Sequence, residues 1–134
     1  MKILLQIPLL LIVLCIFNVI IFTSPEALSP DATPWLSLPL PSGVTWTASA
    51  AEMLVVLGII LLYLELFKAT RTSVSAIIEH IFSLFVFLAF LIEFIVVPGA
   101  GNSTCVMLML LALLDVIGGF TISISSARRD LNFA

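Results

Sequence analysis

Four long apolar stretches, separated by shorter polar segments, dominate the pattern of this chain. A helix needs about 20 residues to cross the roughly 30 Å hydrocarbon core of a bilayer, and each stretch is about that long. The apolar positions run continuously, whereas strands of a membrane β-barrel alternate apolar and polar positions. The pattern therefore predicts four membrane-spanning helices, at residues 3–22, 48–67, 76–97 and 104–125.

Composition agrees with this interpretation. The chain has 134 residues, of which 62% are hydrophobic and only 10% are charged, a balance far from that of a soluble globular domain. No change in composition along the chain marks a second folded unit. We therefore expect an all-α membrane protein with one membrane domain over residues 1–134, folded as a four-transmembrane-helix bundle.

The basic residues predict an orientation. All five fall on one side of a four-span arrangement, whereas the loop at residues 23–47 and the turn at residues 98–103, on the other side, contain none. The positive-inside rule then places both termini in the cytoplasm, and we expect the bacterial cytoplasmic (inner) membrane. The residues that carry this prediction are Lys2, Lys68, Arg71, Arg128 and Arg129.

The outer loop at residues 23–47 contains five of the seven prolines, which exclude a regular helix and predict extended or turn backbone. Trp35 and Trp46 lie in this loop and are expected to anchor it at the membrane interface. Leucines alternate with polar residues or prolines at positions 36, 38 and 40. This alternation fits a segment on the membrane surface, a strip that docks on a neighbour, or a packed connector.

Several ionisable residues fall near the predicted cytoplasmic ends of the second and third helices. Glu65, Glu79 and His80 each lie within about one turn of such an end. Lys68 and Arg71 follow in the connecting segment, close enough to pair with them. Structural ion pairing at the cytoplasmic side therefore explains this group of five residues.

Glu52 and Glu93 lie about one turn inside the outer ends of the same two helices, at similar depth. No basic residue exists on that side of the predicted bundle. If the two carboxyl groups meet, repulsion and desolvation favour a shared proton or a bound cation. If they instead face the lipid headgroups, they need no special role, and both interpretations stay open.

Asp115 lies near the middle of the fourth predicted helix, beyond the reach of any basic residue in the chain. It could be neutral and donate an interhelical hydrogen bond, be ionised and paired with another polypeptide, or carry protons along a transport path. Ala112, Gly118 and Gly119 share its face and allow close helix approach, which favours the hydrogen bond. Asn18, a lone amide in the first helix, is a candidate partner.

The residues needed for familiar catalytic or metal sites are scarce. The chain has one histidine and two distant cysteines, too few for the usual zinc or haem ligand sets. No glycine-rich phosphate loop and no nucleophile elbow occurs in the sequence. We therefore predict no catalytic residues, no metal, no cofactor and no nucleic-acid partner.

By exclusion, the sequence favours a non-catalytic small integral membrane protein. It would act as an accessory or assembly subunit packed against a larger inner-membrane complex, with the lipid bilayer as its other partner. A first alternative is a proton- or cation-translocating homo-oligomer that uses Asp115 and the Glu52/Glu93 pair. A second is a membrane protein that binds a lipid, quinone or pigment against the phenylalanines of the third helix.

Overall fold

The computed structural model of this protein describes residues 6–71 and 74–133. Within those ranges the chain forms four α-helices, two short 3-10 helices and one two-stranded antiparallel sheet. The α-helices are α1 (Leu10–Thr23), α2 (Ala50–Ala69), α3 (Val74–Val96) and α4 (Ser103–Phe133), and the strands are β1 (Leu36–Pro39) and β2 (Thr45–Ala48). The 3-10 helices are Pro25–Leu28, after α1, and Pro98–Ala100, between α3 and α4.

Helix α4 is the main packing element of the bundle. It lies against both α2 and α3, and α1 closes the bundle by packing on those same two helices. The buried residues of α4 include Cys105, Leu108, Ala112 and Asp115, separated alternately by three and four positions. This is the spacing that keeps one stripe of a helix against its neighbours.

The start of α1 differs from the prediction of a helix at residues 3–22. Residues 3–5 and Lys2 lie outside the described residues, and α1 begins at Leu10, just after Pro8. The backbone N–H of Leu9 donates to Glu65 Oε2 of α2 at 2.8 Å. A carboxylate from another helix therefore satisfies one of the backbone donors that every helix start leaves unpaired.

Three of the four helices are long and apolar enough to cross a membrane: Ala50–Ala69, Ala76–Val96 and Ser103–Asn132. This supports a membrane-embedded protein. Helix α1 has 14 residues and is therefore about 21 Å long at 1.5 Å per residue, short of the roughly 30 Å hydrocarbon core. The predicted fourth span is thus not confirmed.

Helix α4 runs to Phe133, although the sequence pattern predicted an end near residue 125. That predicted end is the point at which the apolar stretch has reached the length needed to cross a bilayer and gives way to polar residues. Serine, alanine and arginine continue the chain, and none of them stops a helix as proline or glycine does. The last two turns of α4 therefore extend past the apolar stretch as a polar, exposed helix.

The outer loop contains a β-hairpin that the sequence analysis did not predict. Strands β1 and β2 pair antiparallel, with Leu38 opposite Trp46. The turn between them is closed by hydrogen bonds from Leu40 N–H to Val44 O at 2.9 Å and from Gly43 N–H to Leu40 O at 3.0 Å. Gly43 has φ +84°, a backbone conformation that favours glycine and suits short hairpin loops.

Candidate functional site

Lys68 holds two buried carboxylates together at one end of the bundle. Its Nζ lies 3.3 Å from Glu65 Oε1 and 3.8 Å from Glu79 Oε2. Both glutamates are buried, whereas the Lys68 side chain remains 22% exposed. Because Glu65 also binds the start of α1 through Leu9, this Lys68 cluster of Glu65, Lys68 and Glu79 links helices α1, α2 and α3. Arg71, predicted to join this group, is exposed just beyond α2 and takes part in neither ion pair.

His80 lies beside the Lys68 cluster but has a different partner. Its Nε2 is 2.8 Å from Ser123 Oγ of α4, and Ser123 Oγ donates to Ala69 O at 3.4 Å. His80, Ser123 and the Ala69 carbonyl thus form a chain of hydrogen bonds that joins α3, α4 and the end of α2. The His80 ring also contacts Phe120, with ring centroids 5.0 Å apart. The predicted role of His80 in ion pairing is therefore replaced by a hydrogen bond to α4.

Asp115 and Ser83 form the deepest polar contact between α3 and α4. The two residues are 1% and 2% exposed, and the Ser83 side chain faces the Asp115 carboxyl. Neither Asp115 Oδ2 nor Ser83 Oγ has a hydrogen-bond partner within the described residues. The Asp115 carboxyl group and the Ser83 side chain thus lie close together, while Asp115 Oδ2 and Ser83 Oγ are both unpaired in the described part of the chain, a rare and costly arrangement for buried polar atoms.

The small residues near Asp115 face helices of the same chain. A Cβ atom on Gly118 would come within 2.8 Å of Leu66 Cδ2 in α2, and one on Gly119 within 2.6 Å of His80 Nδ1 in α3. Ala112 is 1% exposed. Close approach at small residues is typical of membrane helix packing, and here it brings α4 against its own neighbours.

Asn18 and Glu93 form a second polar contact, between α1 and α3. Asn18 Nδ2 donates to Glu93 Oε1 at 2.8 Å and to Leu14 O at 3.0 Å, while Glu93 Oε2 is buried without a partner within the described residues. Glu52 lies elsewhere, exposed at the start of α2, where it accepts hydrogen bonds from Ser49 N–H and Ser49 Oγ at 2.5 Å. The structure therefore gives Glu52 and Glu93 different partners and does not form the predicted pair.

An apolar layer separates the two polar regions. The rings of Phe17 and Phe90 lie 5.8 Å apart between centroids, and both residues are 0% exposed. Val86, one turn nearer to Ser83 on α3, is also buried. Within the described residues, polar groups therefore do not form a continuous path along the bundle.

The hairpin presents its apolar residues on one face. Pairing places Leu36, Leu38, Trp46 and Ala48 on the same side of the two strands. The first three are at least 40% exposed, whereas Ala48, at the base of the hairpin, is 1% exposed. The opposite face carries Ser37, Pro39, Thr45 and Thr47. Trp35, next to β1, is 68% exposed and lines an apolar groove of about 330 Å³ between α1 and α2.

A second apolar groove of about 200 Å³ lies between α1 and α3 and is lined in part by Phe82 and Phe85. It is smaller than the roughly 300–1,000 Å³ of usual small-molecule sites. Within the described residues no group of three or more histidine, cysteine, aspartate or glutamate side chains is placed to hold a metal ion.

Comparisons with models of protein families, with curated proteins and with solved structures find no match to this chain.

Sequence reasoning did not select Ser83 or Ser123 as site residues. A signal was present for both, because Ser83 shares the Glu79 face of the third helix and Ser123 lies one turn after Gly119. What the sequence does not contain is the rotation of α4 against α3. That rotation decides which of the three serines near the end of α4 meets His80.

Proposed function

We propose that this chain is a non-catalytic, small integral membrane protein that acts as an accessory or assembly subunit packed against a larger protein. We place it in the bacterial inner membrane with both termini in the cytoplasm, since its basic residues lie on one side of the predicted spans. The observation that carries the proposal is the exposed apolar face of the β-hairpin.

An isolated two-stranded hairpin is marginally stable in water, and this one exposes Leu36, Leu38 and Trp46 on one face. A contiguous apolar patch beside polar residues is typical of a surface that binds a partner or a membrane. Tryptophan is also one of the residue types that contribute most to binding energy at protein interfaces. We infer that this face packs against the outer part of a larger membrane protein.

The interior of the bundle favours this role over transport by a single chain. The Phe17–Phe90 layer interrupts the polar groups, and a transport path needs polar groups that meet across the membrane. Glu52 and Glu93, which a translocating oligomer would use together, have separate partners. The small volume of the groove beside Phe82 and Phe85 likewise does not favour a bound quinone or pigment.

The experiment that tests the proposal is photo-crosslinking in the native membrane. A photoreactive amino acid replaces Leu38 on the apolar face of the hairpin, and in a matched control it replaces Thr47 on the opposite face. After gentle detergent extraction, mass spectrometry identifies what is attached. We expect one larger membrane protein at constant ratio from position 38, and at least tenfold less of it from position 47.

Three outcomes would reject the proposal. Equal yields from the two positions would mean that the hairpin face is not selective. Attachment to lipid alone would show that the apolar face rests on the bilayer. Attachment to a second copy of this chain would indicate a homo-oligomer and would favour the translocation alternative instead.

A further inference from the structure

We propose that Asp115 and Ser83 form a proton-binding site between α3 and α4. In this site the neutral Asp115 carboxyl group donates a hydrogen bond to the Ser83 hydroxyl. The proposal concerns the interior of the bundle and goes beyond the accessory role inferred from the hairpin.

Two buried polar atoms lack hydrogen-bond partners at the same place in the bundle. Asp115 Oδ2 and Ser83 Oγ are both without a hydrogen bond within the described residues, and the residues are at least 98% buried. A proton on the carboxyl group turns one oxygen into a donor, and Ser83 Oγ can accept. Protonation of the carboxyl group thus gives each of the two unpaired oxygens a hydrogen-bond partner.

The charged groups around Asp115 do not provide it with a counterion in the described part of the chain. The charged groups that face it are Glu65 and Lys68 of α2 and Glu79 of α3. His80 of α3 is engaged with Ser123, and α1 contains no charged residue. Lys68 is within 4.0 Å of both glutamates, but no cation lies that close to Asp115 within the described residues. An ionised Asp115 would therefore be a buried charge without a counterion, which proteins avoid by neutralising the group.

A proton fits this site better than a metal cation does. A metal cation needs several ligand atoms, usually oxygens for the hard cations. Within the described part of the chain no group of three or more histidine, cysteine, aspartate or glutamate side chains could hold such an ion. A proton needs only one donor oxygen and one acceptor, which Asp115 and Ser83 supply. The geometry thus points to a proton as the ligand.

Infrared spectroscopy of the full-length protein in lipid nanodiscs tests this proposal. Aspartate labelled with carbon-13 at its side-chain carboxyl group separates Asp115 from the glutamates, because the label shifts only aspartate bands. We expect a labelled C=O band of a protonated acid at neutral pH, and its complete loss in Asp115→Asn. The band should persist in Ser83→Ala at a higher frequency, since the carboxyl group loses its acceptor.

Asp31→Asn is the matched control, because Asp31 is exposed in the outer loop and its substitution should leave the band unchanged. Asparagine keeps the size of Asp115 and its capacity to donate to Ser83, so Asp115→Asn is expected to fold, and its circular dichroism should match that of the unchanged protein. The absence of a labelled acid band at neutral pH would overturn the proposal, as would a band that survives Asp115→Asn. Loss of the band on adding sodium or potassium at constant pH would assign the site to a cation instead.

Discussion

Two polar regions lie on either side of the Phe17–Phe90 layer, and they provide partners for their carboxyl groups in different ways. The Lys68 cluster places a lysine between two glutamates, so opposite charges meet at a partly exposed end of the bundle. The Asn18–Glu93 pair has no cation, and an amide is the only side chain bonded to that carboxyl group within the described residues. Ion pairs therefore stabilise the Lys68 cluster, whereas a single hydrogen bond between side chains stabilises the Asn18–Glu93 pair.

The difference predicts how each region responds to substitution. Removing one member of a buried ion pair leaves an uncompensated charge, which costs far more than the pair contributes. Removing one side of a hydrogen bond between membrane helices costs less, because the unfolded helices find other partners in the membrane. The Lys68 cluster should therefore be the more sensitive of the two regions.

The largest effect is expected for Lys68→Met, which leaves Glu65 and Glu79 buried without their cation. The free energy of unfolding should fall by about 3 kcal/mol, at the low end of values for broken buried pairs because Lys68 is partly exposed. Unfolding by sodium dodecyl sulfate, followed by circular dichroism, measures this loss. Arg71→Met is the control and should change stability by less than about 0.5 kcal/mol, since Arg71 is exposed and its charge acts on Glu79 without forming an ion pair with it. Similar losses in both variants would contradict the role given to Lys68.

A second prediction concerns how tightly the polar end is packed. Gly119→Ala should destabilise the bundle by about 2 kcal/mol, because the new methyl group would meet the His80 ring, which Ser123 and Phe120 hold in place. The same unfolding assay should show less than about 0.5 kcal/mol for Gly118→Ala, because the atom it meets is at the end of the flexible Leu66 side chain. A larger loss of stability in Gly118→Ala than in Gly119→Ala would mean that the His80 ring can move aside.

The parts of the fold that depend on local pattern were predictable. Helices α2 and α3 lie within two residues of their predicted bounds, because continuous apolar stretches of about 20 residues define them. Ser83, Val86 and Phe90 of α3 are all buried, and their spacing is the one that a period of 3.6 residues gives to a single helix face. In these helices the sequence period and the packing agree.

The parts that depend on contacts between distant residues were not predictable in the same way. The start of α1 is capped by Glu65, 56 positions away along the chain, which accepts a hydrogen bond from the Leu9 N–H. To predict the pairing of β1 with β2, Gly43 at the turn has to be considered together with the alternating leucines of β1. Equal depth suggested that Glu52 and Glu93 meet, but depth does not fix the direction in which a side chain points. The partners of His80 and Glu93 follow from helix rotation, which no local pattern contains.

A third prediction addresses the Asn18–Glu93 pair. Asn18→Leu should lower the free energy of unfolding by about 1 kcal/mol, because Glu93 loses the donor at 2.8 Å and keeps both oxygens near the apolar layer. Glu93→Gln should be nearly neutral, since the amide oxygen can still accept from Asn18. Thermal unfolding of both variants in the same detergent provides the comparison. A loss in Glu93→Gln as large as that in Asn18→Leu would mean that the negative charge matters.

The smallest expected effect is at Asp115, where a neutral carboxyl group behaves like the Asn18–Glu93 pair and not like the Lys68 cluster. Asp115→Leu should destabilise the α3–α4 contact by about 0.6 kcal/mol, the average for hydrogen bonds between membrane helices, while Asp115→Asn should be close to zero. The sodium dodecyl sulfate assay resolves the two variants if they are measured side by side. If Asp115→Asn were as damaging as Asp115→Leu, Asp115 would be an ion with a counterion. Asparagine has the shape of aspartate but no charge, so it would leave that counterion buried and unpaired.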